Sequence, residues 1–492
     1  RHNLYVEGGN EQFRYGFGGS YNKIQGVMKS STRDIFSGNL DLLYRVGKLT
    51  FSNKLSVDVT KHDNPVVPFS EYAHANPYYP KRTADGAVEK WLEYKEDEMS
   101  ATDASEIVGN PLWNAALNSY DKSEMFGVRN NFNLEYRPFD FLYIRGRFGI
   151  SKQTTDSERF TSPDATEFDQ VELLKKGSYD DMREDDFSYD GDLTLTYGQI
   201  FNDAHQINAV LGVSISERKS ISKGFSAVGF PEGNFTTPGF SNEYPDNGKP
   251  SYGDSKNRSA NFYFNGGYSY KNKYLLDANV RMDGTSVFGS NKKFTTTWAV
   301  GVAWNIHNEH FWGEQGWLTQ AKIRSSVGYT GNVEFSPYQS QTMYIYDKDN
   351  IYMHGVGADI KALGNDNLKW QRKFSFNVGA DLDFCEGRFS MSAELFREKT
   401  KDLLLDMSIP PSLGFATYTE NIGEMKNQGW ELSLRTQILR NAKRDLYWSL
   451  SFGTSNSKNK ITKISNALGK KNEENNQEET KKPVPLYEEG ES

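Results

Sequence analysis

At 492 residues the chain is long enough for several soluble domains, yet no block of distinct composition divides it, which points to one large repetitive architecture. Hydrophobic residues make up 36% and aromatic ones 14%, with 28 Tyr and 31 Phe against 9 Trp, a bias that strands accommodate better than helices and that excludes wholesale disorder. A net charge of -8 argues against a nucleic-acid partner, and the single cysteine, Cys385, excludes an internal disulfide and a thiolate metal cluster.

Mean hydropathy is -0.72 and no run of about 18 apolar residues occurs, so no helix can cross a bilayer. A β-barrel stays open as a possibility, because it shows lipid only every second side chain. The chain opens on Arg1, inside what reads as a strand, and its other end, 458–492, reads as a charged extracellular loop, so both ends look cut. The whole of 1–492 then reads as one partial domain, with any export signal lying outside it.

From the N-terminus, YGFGG (15–19) reads as a glycine-rich strand and not a phosphate loop. Phe126, Val128, Phe132, Leu134 and Tyr136 alternate with Arg129, Asn131, Asn133 and Glu135; Leu142, Ile144, Phe148 and Ile150 alternate with Arg145, Arg147 and Ser151. Ala260, Phe262, Phe264, Tyr268 and Tyr270 share a face, and after Lys271-Asn272-Lys273 it resumes with Tyr274, Leu276, Ala278, Val280 and Met282, predicting a hairpin with one oily and one wet side. The same period recurs at Phe294–Ile306 and Phe374–Phe384. Cys385 reads as a small side chain in a strand. Strands of about ten to fourteen residues exceed those of soluble sandwiches and suit a tilted membrane crossing.

Connections alternate between two classes. Short ones fall near 46–48, 137–140, 198–205, 271–273, 385–388 and 438–444; long ones near 61–122, 152–185, 218–256, 330–371 and 399–415, with a medium one at 283–292 and a somewhat long short-side link at 307–317. About sixteen strand candidates keep this parity. The expected fold is therefore all-β, a large antiparallel up-and-down transmembrane β-barrel with short turns on one side and long loops on the other. A propeller or stacked sandwiches would need shorter, more regular strands. Tyr270 with Tyr274, and Trp298 with Trp304, fit interfacial aromatic girdles.

The segment YLLDANVRMDGTSVFGSNKKFTTTWAVGVAWNI (274–306) resembles the SusC/RagA family of TonB-linked outer-membrane transporters, through Arg281, Asp283, Gly284, Ser286, Phe288, Gly289 and Asn291. IRSSVGYTGN (323–332), NDNLKWQ (365–371), REKTKDLLL (397–405) with Pro410-Pro411, NIGEMKNQGWELSL (421–434) and the opening LYVEGG with QGVMKSSTRD are similar too. Asp283-Gly284 and Phe288-Gly289 read as turns in which glycine supplies the positive φ, and Gly331-Asn332 as a strand-ending turn. The resemblance implies a 22-stranded barrel, of which about sixteen strands are here, an N-terminal plug, a TonB box reaching the TonB–ExbB–ExbD complex, and a SusD-like surface lipoprotein as partner.

Catalytic and metal motifs are missing from the sequence. Of seven histidines only His307 and His310 lie close, without the helical spacing of a zinc protease, and no nucleophile elbow or nucleotide loop occurs, so no enzyme, cofactor or metal is expected. The acidic runs KEDE (95–98), REDD (183–186) and DKD (347–349) read as solvated loop charge, against calcium ligation, which would need a different spacing. Tyr72, Tyr78, Tyr79, Trp91 and Trp113 in the longest loop could stack on sugars or peptide side chains, or pack the loop on itself. Arg145, Arg147, Asn279, Arg281, Asp381 and Asp383 fall on the wet face and are expected to line the lumen. The expected function is TonB-dependent import of an oligosaccharide or peptide nutrient across the outer membrane, among outer-membrane lipid. The alternatives are a siderophore or cobalamin receptor of the same architecture, and a non-transporting adhesin or structural barrel.

Overall fold

The computed structural model describes the chain except for residues 29, 94–107, 288–292, 314–316, 333–339, 354, 409–411, 413–416, 442–445, 464–489 and 491–492. In chain order the elements are β1 (His2–Gly9), β2 (Phe13–Gln25), β3 (Thr32–Val46), β4 (Leu49–Asn64), α1 (Phe69–His74), β5 (Trp91–Glu93), β6 (Val108–Gly109), α2 (Pro111–Asn114), β7 (Tyr120–Phe139) and β8 (Leu142–Thr161). There follow β9 (Ser178–Phe201), β10 (His205–Val228), β11 (Ser251–Tyr270), β12 (Tyr274–Thr285), β13 (Phe294–Asn305) and β14 (Leu318–Asn332). The last are β15 (Met343–Tyr352), β16 (Gly355–Ala362), β17 (Gln371–Phe384), β18 (Phe389–Lys401), β19 (Leu404–Ser408), β20 (Thr417–Asn421), β21 (Glu424–Asn441) and β22 (Leu446–Lys463).

Sixteen of these strands form one antiparallel sheet in chain order, from β1 to β22, as an up-and-down meander requires. The remaining six make three two-stranded pairs, β5–β6, β15–β16 and β19–β20, inside the long connections. The chain divides into two compact units: one holds 1–134, 147–190 and 217–256, the other 135–146, 191–216 and 257–492.

Register aligns the oily side chains into rows. In the second unit Leu276 stands between Tyr268 and Val302, and Val280 between Phe264 and Trp298; Val300 faces Val327, which faces Phe376. On this face Phe262 is exposed by 57%, Val302 by 52% and Leu395 by 63%, so the wall does not bury its apolar face on itself. The apolar positions of β17 run from Phe374 to Phe384; ten residues at about 3.3 Å, tilted by about 45°, give a band roughly 24 Å tall, the height of a bilayer's hydrocarbon layer.

The ladder also extends farther than the apolar alternation. β7 and β8 have 20 residues each and β9 and β10 have 24, well beyond the ten to fourteen expected. Charged side chains zip these extensions: Lys61 lies 3.2 Å from Glu124, and Arg183 sits between Asp156 at 3.6 Å and Asp185 at 3.3 Å. REDD (183–186) is therefore strand and not loop, and the long connection read as 152–185 shrinks to 162–177. DKD (347–349) falls within β15, and KEDE (95–98) lies outside the described residues.

Tight turns close the short side. Asn202-Asp203, Lys271-Asn272 and Cys385-Glu386 are consecutive pairs with φ between 47° and 57°, the left-handed geometry whose twist matches that of the flanking strands. Cys385 is thus an exposed turn residue and not a strand residue. Asp283 and Gly284, read as a turn, belong to β12: Asp283 pairs with Asn261 and Thr295, and Gly284 with Ala260 and Phe294. Gly284 makes room for the Phe294 ring, which any Cβ would strike, and its φ is not positive. Ser286 closes the end of β12, its Oγ accepting from the Arg258 N–H at 2.9 Å while its own N–H donates to the Arg258 carbonyl. Phe288, Gly289 and Asn291 lie outside the described residues. Gly331 and Asn332 end β14 as expected, still paired with Arg372 and Gln371. β22 continues to Lys463, inside the 458–492 segment read as loop.

Candidate functional site

The wet face of the second unit carries a charged constellation across three neighbouring strands. Arg324 on β14 lies opposite Gly379 on β17, which lies opposite Glu394 on β18. The guanidinium occupies the space a side chain at 379 would fill, since a Cβ there would stand 2.9 Å from its Cζ. It therefore reaches two acids at once, Asp381 at 3.2 Å and Glu394 at 2.7 Å, while the Ser392 hydroxyl donates to Asp381 at 2.7 Å. The three charged side chains are between a quarter and about a third exposed, Arg324 by 35%, so the cluster is not a sealed core.

The sequence-predicted wet-face residues fall around comparable contacts. Arg145 stacks on Tyr143 at 5.5 Å, donates to the Tyr143 oxygen at 3.1 Å and lies 3.5 Å from Glu135. Arg281 donates to Asp283 at 2.5 Å. Asn279 stands between Asn265 and Ala299, and Asp383 opposite Ser390 and Gln320. Arg147 sits on the wet parity of β8 in the first unit. Arg324 and Glu394, the centre of the cluster, were missed as site residues. Strand parity assigns each to the wet face, but only register shows that they meet across a glycine.

The first long loop is built by capping and amide bonds. Asn110, 1% exposed, caps α2 by accepting from the Leu112 N–H at 3.0 Å, with Pro111 at the first helical position, and its amide donates to the carbonyls of Lys81 and Glu89. Asn114 exchanges two hydrogen bonds with Thr166, and Lys90 reaches Asp169 at 2.6 Å. These bonds fasten the first loop to the second. Beneath them Phe160, wholly buried, packs edge-on to Phe230 at 5.2 Å, with Tyr179 beside them.

The five loop aromatics separate. Trp113 donates to the Asp164 carbonyl at 3.1 Å, and the Lys90 ammonium stands 5.2 Å from the Trp91 ring and 6.0 Å from Trp113, so both tryptophans hold the loop together. Tyr78 is 91% exposed. Tyr79 donates its backbone N–H to the Asn76 carbonyl. Tyr72 lines a cavity of about 860 Å³ floored by Val66, Val67, Phe69 and Leu112 and rimmed by Arg82 and Lys122. Burial raises the Tyr72 phenol and the Glu71 carboxyl above their ordinary values, the charge of Glu167 adding to the second.

On the short-turn side the aromatics form a girdle. Tyr270 stacks on Tyr274 and Tyr274 on Trp304, each at 6.4 Å. Glu309, in the link after β13, accepts from Lys273 at 2.8 Å and from the Trp304 indole at 3.1 Å. The Lys273 hydrogen bond first, then that of Tyr274, holds its carboxyl down at about 2. His307, in the same link, is engaged with the backbone of Ala321 at 3.0 Å. Higher on the same face, Trp298 meets Tyr329 at 5.8 Å and Tyr329 meets Phe374 at 5.0 Å.

A sixteen-strand meander with an oily outer face, girdled by aromatics and lined by charge on the other face, defines an outer-membrane β-barrel. The β-barrel model of the TonB dependent receptor-like proteins matches residues 61–485, and the chain belongs to that family, one of outer-membrane receptors and not of enzymes. It is 28% identical over 465 residues to TonB-dependent receptor P26 of Formosa agariphila, covering 93% of this chain and 45% of that protein. It is 29% identical over 218 residues to TonB-dependent receptor SusC of Bacteroides thetaiotaomicron, 43% of this chain and 21% of that protein. Among solved structures, the RagAB peptide transporter superposes with a TM-score of 0.75 at 21% identity, over 94% of this chain and 51% of that one. The chain thus spans about half the length of the curated relatives it matches or less. The SusC/RagA-like barrel expected from the motifs is borne out.

Proposed function

We propose that the protein to which this wall belongs imports an oligosaccharide or peptide across the outer membrane, energised through the TonB–ExbB–ExbD complex and served by a SusD-like surface lipoprotein. The observation that carries the reading is the wet face. A merely structural barrel has no use for a partly hydrated Arg324–Asp381–Glu394 cluster and for Arg145 and Arg281 on the same side of the sheet. Such residues, with Arg147, Asn279 and Asp383, would line a wide lumen and offer donors and acceptors to a polar solute or a plug. A lumen of that width needs a plug, and an outer membrane without ATP or a proton gradient needs energy from elsewhere.

The exposure of Tyr78 and the position of Tyr72 on the loop cavity support a solute-contacting role for these two, whereas Trp91 and Trp113 hold the loop. Uptake of labelled oligosaccharides and peptides of graded length by cells with and without TonB tests the proposal. Saturable, TonB-dependent uptake of one class is expected. Uptake that is unchanged without TonB, or none of either class, overturns it.

A further inference from the structure

The outward face changes character at the long-loop end of β18, β21 and β22. Below, the rows are apolar on β17, β18 and β21, turning polar only on β22: Leu382–Met391–Leu434–Phe452, then Ala380–Ala393–Leu432–Thr454, then Val378–Leu395–Trp430–Asn456. The next row up runs Phe376–Arg397–Gln428–Lys458, and the one above it Phe374–Lys399–Lys426–Lys460, so the apolar β17 gives way to basic side chains on β18, β21 and β22. The last row aligns Lys401, Glu424 and Lys463.

Nine neighbouring positions on three strands therefore hold seven basic side chains and one acid. Glu424 is spent on Lys399 at 2.7 Å and Lys401 at 3.7 Å. Among the described residues no ion pair reaches Arg397, Lys426, Lys458 or Lys460. Like charges directly opposite one another on adjacent strands destabilise a sheet. With Lys399 taken by Glu424, Lys426 and Lys460 face each other as such a pair, a repulsion that an anion from outside would relieve. The charged extensions in the first unit are built differently: Lys23 with Asp34, Lys61 with Glu124, Lys256 with Glu217 and Arg183 with Asp156 neutralise one another within the sheet.

We propose that this patch binds the phosphate groups of an outer-leaflet glycolipid. The position fits: the patch lies on the same outward face beside Phe376 and Phe374, the long-loop end of the apolar band that meets the acyl chains, with Trp430 at its border. A lipid whose tails lie along Leu395 and Leu432 brings its headgroup phosphates level with Arg397, Lys426 and Lys460. Lysine ammonium and arginine guanidinium groups both suit phosphate oxygens, and each charge near a membrane surface is worth about a fivefold gain in binding.

The test is native mass spectrometry of the intact receptor extracted from its own outer membrane, titrated with diphosphorylated lipid A and with its dephosphorylated form. The parent is expected to hold the phosphorylated form, and Lys426→Gln with Lys460→Gln to weaken it by about 25-fold. Lys426→Arg with Lys460→Arg should restore it, which separates charge from misfolding, and Lys61→Gln in the paired region should leave it unchanged. Equal retention by parent and double variant overturns the proposal. So does equal affinity for dephosphorylated lipid A, or an acidic protein that copurifies on the patch in place of lipid.

Discussion

The sheet wall and the loops above it use the same residue types under opposite rules. Where β8 and β9 run into the long connections, apolar side chains are buried against one another, Phe160 and Tyr179 on the strand ends with Phe230 in the loop, and Val67 and Leu92 are covered as well. In the wall equally large residues stand exposed, Phe262 by 57%, Phe376 by 45% and Leu395 by 63%, in rows with nothing above them. Loops fold by making an aqueous core; the wall folds by backbone ladder and leaves its apolar surface for lipid. One chain therefore carries two separable sources of stability.

Breaking each source separately sharpens this contrast. Phe160→Ala should cost about 3–5 kcal/mol in the loop cluster, seen as lost hydrogen-exchange protection around Tyr179 and Phe230. The wall should keep its heat-modifiable mobility on gels. Val302→Arg on the oily face should do the reverse, costing about 2–4 kcal/mol of insertion stability at mid-membrane, read by urea titration of refolding into vesicles, with the loop cluster intact. Arg324→Gln leaves Asp381 and Glu394 facing each other; because the cluster is about one-third exposed, the expected loss is only about 1 kcal/mol in the same titration.

The smallest effect concerns pH. The Glu309 carboxyl is held at about 2, below its ordinary 4.5, so its pairing with Lys273 stabilises fully above pH 4.5 and is lost as pH falls through 2. Trp304 fluorescence should therefore shift in a step centred near pH 2, where the folded carboxyl takes up its proton, because the indole donates to Glu309. Glu309→Gln should abolish that step while leaving the rest of the acid titration unchanged.

Much of the wall was legible because lipid-facing strands repeat one rule. In Phe374–Phe384 every even position is apolar, and the observed register joins these to Val327 and Tyr329 as the alternation requires. The parity of short and long connections gave the strand order. What escaped was anything that depends on register. Arg324 and Glu394 are 70 residues apart and meet only because Gly379 sits between them. Asp283-Gly284 has turn chemistry, yet the ladder to Phe294 outweighs it. The polar extensions of β7 to β10 lack apolar alternation, so their strands looked shorter than they are. Of the loop aromatics, sequence could not separate Trp113, bonded to a neighbouring loop's backbone, from Tyr78, open to solvent.

The hairpin between β17 and β18 offers a practical handle. Its apex holds this chain's one thiol, at Cys385, solvent-accessible and on the side of the short connections. A bulky, membrane-impermeant maleimide should leave it unlabelled on intact cells and modify it once the outer membrane is breached, so labelling that is lost in Cys385→Ser reports which way the wall is threaded.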